Sequence, residues 1–255
     1  PSLPKLPKIR ASHYLTIIVF LGLLNASIGF AYVEARSSEI TVLHIEGAPE
    51  NIVFIADPHL KEKNVAYIQT IVNEINTLNP SVVLIGGDFV YGDGEDLYRQ
   101  EVWSGIDAPV YAVLGNHDYM SGITRTSWVE KNLAIGSASF DKDSYDVSCL
   151  FDESTDLAYA ERLTAELEKN GVTVLKNEYV MVDAGGQELM IVGIDDGWAG
   201  MADPPEVPDT GAYTLYMIHE PDCRADWDAD LILAGHTHGG QFLPQSTPVP
   251  GFELS

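Results

Sequence analysis

Residues 51–59 read Asn51-Ile52-Val53-Phe54-Ile55-Ala56-Asp57-Pro58-His59, and this stretch decides the fold. An unbroken apolar run of this length, too short for a core helix, reads as a buried strand. It stops on a carboxylate and, two positions later, an imidazole. The same device recurs down the chain. Ser81–Ile85 runs into Gly86-Gly87-Asp88, and Pro109–Leu114 into Gly115-Asn116-His117-Asp118. Thr214–Ile218 runs into His219-Glu220-Pro221, and Leu231–Ala234 into Gly235-His236-Thr237-His238-Gly239-Gly240. Between the first two runs, Ile68, Ile71, Val72, Ile75 and Leu78 have a helical spacing that stops before Pro80. Strands alternating with helices imply an α/β fold with parallel pairing. Ligands in such sheets gather beyond the carboxyl ends of the strands, so five strands deliver Asp, His or Asn to one edge.

Further strands are expected over Val172–Leu175, Glu178–Asp183 and Glu188–Ile194, the last two joined by a Gly185-Gly186 hairpin turn. A helix is expected over Ala160–Asn170, ending at Gly171. Residues 136–158 hold Asp141, Asp143, Asp146, Asp152, Glu153 and Asp156 with little apolar periodicity, which reads as a long solvated loop. The ligand order of an EF-hand is absent from it.

Five of the seven histidines sit in the strand-end motifs; only His13 and His44 lie elsewhere, and neither is given a role. Clustered polar groups at a buried edge must be paired or bound to metal. Carboxylate, imidazole and amide oxygen together suit Mn, Fe or Zn in a two-metal site. One carboxylate must then bridge ions roughly 3.5–4 Å apart. Asp88, alone after a glycine pair, is the natural bridge.

D-x-H, GD, GNHD, H and GHTH, in this order, resemble the calcineurin-like metallophosphoesterase superfamily, over about residues 51–241. Gly239-Gly240-Gln241 is similar to the membrane-associated YkuE/YaeI-type branch. The resemblance implies a metallophosphoesterase-type β-sandwich, two mixed sheets flanked by helices. It implies two divalent metal ions, the first held by Asp57, His59 and His238, the second by Asn116, His219 and His236, with Asp88 bridging. It makes His117 a catalytic residue facing the phosphoryl oxygens and leaving group, with Asp118 orienting it. Hydrolysis would proceed by attack of a metal-activated hydroxide. The implied substrate is a phosphodiester or pyrophosphate, lipid-linked or in the cell envelope. The pyrophosphate of UDP-diacylglucosamine is the alternative, and a non-catalytic envelope binding module the reading of another class. Pro58 departs from the branch, which usually has Leu, Thr or Ile there, but it leaves both ligand side chains in place.

The chain carries 38 Asp and Glu against 14 Lys and Arg, a net charge of −24, with 45% hydrophobic residues. That apolar share excludes a disordered acidic tail. The acidity, with no Lys or Arg stripe, excludes a nucleic-acid partner. The charge is uneven: residues 1–36 contain Lys5, Lys8, Arg10 and Arg36 against Glu34 alone, leaving residues 37–255 at −27. Leu15–Tyr32 is uncharged and about long enough to cross a bilayer as a helix. The expected division is therefore a membrane or signal helix over 1–36 and a phosphoesterase domain over 37–255. The helix is read as a signal anchor, or a signal peptide cleaved near Ala26, Ser27, Ala31 or Ala35. With the bases ahead of the run, the domain is placed outside the cytoplasm. A start at Pro1 and a stop at Ser255 suggest a fragment. Cys149 and Cys223 form no C-x-x-C pair and read as unrelated thiols. Trp103, Trp128, Trp198 and Trp227 read as core or rim, Asp195-Asp196 as loop surface, and Tyr119 as a pocket wall.

Overall fold

The structure is a computed structural model and describes residues 11–34, 38–92 and 97–238. The bases Lys5, Lys8, Arg10 and Arg36, Ala35, and the Gly239-Gly240-Gln241 tail lie outside these residues. The chain divides into two units, residues 1–43 and 44–255. In the first, α1 spans Ala11–Glu34, and Ile18, Phe20, Leu23 and Phe30 on it are exposed. The expected helix is present. Among the described residues, however, no helix is long and apolar enough to cross a membrane.

The second unit holds two four-stranded sheets. In the first, β1 (Ile52–Ile55), β2 (Val82–Gly86), β3 (Val110–Val113) and β4 (Val172–Val174) pair in parallel. In the second, β5 (Glu178–Ala184) and β6 (Gln187–Gly193) form an antiparallel hairpin. β7 (Tyr213–Ile218) and β8 (Leu231–Ala234) then add in parallel to β6. Gly185 and Gly186 turn the hairpin at φ 68° and 92°, the left-handed pair that a tight turn of this twist requires.

Alternation along the strands builds the layers. Val83 and Ile85 face a core shared with α2 (Val65–Thr77) and α4 (Leu157–Lys169). Val82 and Leu84 face the other way, into a seam with Leu189, Ile191, Leu215 and Met217 of the second sheet. Burying each such side chain stabilises by about 1.5–3 kcal/mol before ordering entropy is subtracted. Met190, Val192, Tyr216 and Ile218 point out of the seam into a third cluster.

That third cluster corrects the reading of residues 136–158 as a solvated loop. Ala138, Phe140, Tyr145, Val147 and Leu150 pack with Met190, Val192 and Ile218 and cover the outer face of the second sheet. Asp141, Asp143, Asp146, Glu153 and Asp156 are exposed, so most acids of the segment face water. Asp156 caps α4, accepting from the Tyr159 amide at 2.8 Å, which starts that helix three residues earlier than its apolar spacing suggests.

A further helix, α3 (Arg125–Ala134), has no counterpart in the sequence expectations. It buries Ser127 and Lys131 while Trp128, Val129 and Leu133 are exposed, the reverse of the usual pattern. A reciprocal cap starts it: Thr124 Oγ1 accepts from the Ser127 amide, and the Thr124 amide donates to Ser127 Oγ. His44, given no role above, is exposed coil. Cys149 is exposed and Cys223 buried, both free.

Candidate metal centre

The residues selected from sequence follow β1, β2, β3, β7 and β8 directly, where the chain must turn sharply off each strand. Asp57, His59, Asp88, His236 and His238 all have positive φ, at 54°, 41°, 59°, 67° and 50°. Such backbone costs of order 1–3 kcal/mol per residue and persists where surrounding bonds over-determine it. Those bonds are present. The Asp57 amide donates to the Gly87 carbonyl at 3.1 Å, the His59 amide to the Asp88 carbonyl at 3.0 Å, and the His236 amide to Asp57 Oδ1 at 3.0 Å. Gly115 is obligatory for space. A Cβ there would lie 2.4 Å from Asp88 Oδ1 and 2.8 Å from His219 Cε1.

Two groups of side chains that could ligate a metal result: Asp57, His59, Asp88 and His238; and His219, Glu220 and His236. In the first, His238 Nε2 lies 3.6 Å from Asp57 Oδ1 and 3.2 Å from His59 Nε2. In the second, His236 Nδ1 is 3.1 Å from Asn116 Oδ1. Asp88 stands between them, Oδ2 at 3.6 Å from His59 Nε2 and Oδ1 at 3.3 Å from His219 Nε2. His59 Nδ1 donates to the Val90 carbonyl at 3.0 Å and His219 Nδ1 to the Gly86 carbonyl at 2.7 Å. Carbonyls only accept, so both rings present Nε2 to the centre. Asn116 Nδ2 donates to the Ser121 carbonyl at 2.7 Å, which turns its oxygen toward His236.

The electrostatics suit cations. Burial lowers His59 to about 4 and, with His219 beside it, lowers His236 to about 3, so both imidazoles are neutral at pH 7. Burial works against the His219 imidazolium, but Asp88, Glu220 and Asp57 outweigh it and raise its pKa well above the ordinary value. Burial raises Asp57. His219 Nε2 is buried without a hydrogen-bond partner, a lone nitrogen aimed at Asp88. Carboxylate, imidazole and amide oxygens around such a nitrogen fit divalent ions of the borderline class.

His117 lies at the rim of these groups, its ring 4.8 Å from that of His59. Its amide donates to Asp88 Oδ1 at 2.9 Å. Its Nδ1 donates to the Tyr91 carbonyl at 2.6 Å, and the Tyr91 ring stacks on it at 5.2 Å. The resemblance has Asp118 orienting His117, but the Asp118 oxygens serve elsewhere. Oδ1 accepts from the Val90 amide at 3.1 Å and Oδ2 from the Gly115 amide at 2.9 Å, clamping the loops after β2 and β3 together. Burial and the Asp88 charge push its carboxyl up to about 8 against those two bonds.

Other residues at this edge escape the sequence reading. Asp195 and Asp196 are buried, not loop surface. Tyr119, expected at a pocket wall, is buried and donates its hydroxyl to Asp195 at 2.8 Å. Glu220 is fully buried, its Oε2 accepting from the Gly197 amide at 3.1 Å. The buried Trp198 sets its ring 4.6 Å from that of His236. Trp103 is core, while Trp128 is exposed. The one signal for Asp195-Asp196 is their place directly after a strand parallel to β7.

Comparison with known proteins accords with this geometry. The family described as calcineurin-like phosphoesterase matches residues 50–240. The chain is 29% identical over 202 residues to phosphodiesterase YaeI of Escherichia coli (strain K12), covering 76% of this chain and 62% of that protein. It is 25% identical over 214 residues to the uncharacterized metallophosphoesterase YkuE of Bacillus subtilis (strain 168), covering 78% and 62%. The chain thus spans about three fifths of the length of these two relatives. Among solved structures, phosphopantetheinyl hydrolase from Mycobacterium tuberculosis shows a TM-score of 0.42 at 14% identity, covering 80% of this chain and 87% of that one.

Proposed function

Since the chain belongs to the calcineurin-like phosphoesterase family, we propose that its site hydrolyses a phosphodiester or pyrophosphate bond using two divalent ions. The chain is a metal-dependent phosphoesterase by family, with clustered candidate ligands; the bond class and the ligand roles are our reading. Asp57, His59 and His238 would hold one ion and Asn116, His219 and His236 the other, with Asp88 contributing to both. The observation that carries this is the division of the Asp88 oxygens, one toward His59 and one toward His219. Divalent ions held there would supply a hydroxide nucleophile near neutral pH and offset charge on the phosphoryl oxygens.

The chain's own residues do the rest. His117 has its Nδ1 proton committed to the Tyr91 carbonyl, so Nε2 is the nitrogen left to meet the leaving oxygen and hand it a proton. Asp118 holds the two loops on which Asp88 and His117 stand. The name of YaeI, a phosphodiesterase, favours a diester over a monoester. An envelope or lipid-linked substrate is favoured by the apolar head. Purified protein with Mn²⁺ should hydrolyse bis-p-nitrophenyl phosphate faster than p-nitrophenyl phosphate, and a chelator should abolish this. Absence of metal-stimulated hydrolysis of either by folded protein would overturn the proposal.

We read Leu15–Tyr32 as a signal anchor that places residues 37–255 outside the cytoplasm. Lys5, Lys8 and Arg10 ahead of an uncharged run support this, as do the exposed apolar side chains of α1. Protease added to intact spheroplasts should digest the domain; full protection behind an intact membrane would refute the placement.

A further inference from the structure

Lys131 is the one fully buried lysine among the described residues, at 1% exposure. It has no part in the chemistry above, and a buried ammonium needs partners to offset lost hydration. It finds three. Nζ donates to the Leu150 carbonyl, donates to the Trp198 carbonyl at 2.7 Å, and pairs with Asp152 at 2.9 Å. These partners belong to different segments. Leu150 and Asp152 belong to the stretch that covers the second sheet, and Trp198 to the loop after β6.

Two routes lead from this ammonium to the second ligand group. The first is packing: the Trp198 ring, whose own carbonyl Lys131 holds, lies edge-on 4.6 Å from the His236 ring. The second is hydrogen bonding. Ser121 Oγ donates to the same Trp198 carbonyl at 3.0 Å, and the Ser121 carbonyl receives Asn116 Nδ2 at 2.7 Å. Asn116 Oδ1 then faces His236 Nδ1 at 3.1 Å. The packing route ends on the His236 ring and the hydrogen-bonded one on Asn116 and His236; the first group is touched only where the His236 main-chain amide meets Asp57 Oδ1. Gly122 leaves the room this requires, since a Cβ there would lie 2.8 Å from the Trp198 ring.

We propose that Lys131 is a positioning residue for the second ion: with Asp152 and the 135–156 segment it braces Trp198 and, through Ser121, sets the orientation of Asn116 and His236. The acidic segment is then a strut of the metal centre. This inference rests on the two-group reading of the site. Partners outside the ligands themselves typically carry about 10–100-fold in metal affinity, and the brace predicts that such a loss falls on one ion only.

The test uses the full chain, with Mn²⁺ as the probe, and two variants. Lys131→Met keeps the volume and removes all three contacts. Asp152→Asn removes only the ion pair and carries the test if Lys131→Met fails to fold. Mn²⁺ titration of wild type should show two sites. In Lys131→Met one site should loosen about tenfold or more while the other keeps its constant, and Asp152→Asn should shift the same site by less. Hydrogen exchange on the metal-free chain should quicken in 115–121 and 194–201 but not in β1 and β2. Wild-type constants at both sites, or equal weakening of both with exchange raised uniformly, would overturn the brace. Fewer than two ions on wild type would count against the dinuclear reading instead, and the exchange pattern would still decide the brace.

Discussion

Asp88→Asn should lower metal-dependent diester hydrolysis by about a thousandfold or more, equivalent to ~4 kcal/mol of transition-state stabilisation. It should also leave the protein with fewer than two ions per chain by elemental analysis. The substitution is nearly isosteric, so the argument concerns charge and donor type. The two carboxylate oxygens of Asp88 have separate partners. Oδ1 faces His219 Nε2 at 3.3 Å and receives the His117 amide, and Oδ2 faces His59 Nε2 at 3.6 Å. In Asn one of these oxygens becomes an NH₂, a donor with no lone pair for a cation. Whichever way the amide turns, one ligand group loses its shared oxygen. Burial favours the neutral form of Asp88, yet the charge of His219 and of the neighbouring histidines outweighs this and holds the carboxyl well below its usual range. A depressed native value stabilises the fold above the unfolded carboxyl's pKa of ~3.9 and stops doing so as pH falls through the native one. At neutral pH the metal-free variant therefore also loses the attraction between Asp88 and the His219 imidazolium. Retention of two ions and of rate would remove Asp88 from the shared position.

The strands and the clustering of the candidate ligands are legible in the sequence because each candidate follows an apolar run, so one observation locates both. β8 matches its expected span over Leu231–Ala234, and the other strands shift by one residue or so at their ends. What stays hidden lacks a side-chain pattern. α3 turns Ser127 and Lys131 inward and Trp128 outward, so an apolar periodicity search passes over it. The apolar residues of 135–150 are spaced irregularly among acids, and their burial comes from the sheet they cover. The orienting partner of His117 is a backbone carbonyl, that of Tyr91, which any residue could supply. Asp196 reads as loop surface because isolated carboxylates usually face water, and no side-chain pattern singles out Glu220. Both are fully buried, in a place that only tertiary packing between the loops after β6 and β7 creates.

His117→Ala should separate catalysis from metal binding. Its ring lies beside the ligands and not among them, 4.8 Å from His59, so both ions should stay bound. Loss of a positioned general acid costs about 10²–10⁴-fold. The loss should be largest for a diester with an alkyl leaving group, whose alkoxide needs a proton, and smaller for p-nitrophenolate, which leaves unaided. Geometry sharpens the expectation. With Nδ1 fixed on the Tyr91 carbonyl at 2.6 Å, Nε2 has one direction available, and protonation at Nε2 makes the ring a donor there. Because that anchor is main chain, a Tyr91→Ala comparison keeps it and removes only the stacked ring, so its rate should fall far less than that of His117→Ala. The measurement is kcat on both diesters with metal content determined in parallel. Full rate on the alkyl diester would show that no proton passes through His117. Loss of an ion together with the rate would move His117 into the coordination sphere, and the separation between ligand and acid would then have to be redrawn around Asp88, to whose oxygen the His117 amide is already tied at 2.9 Å.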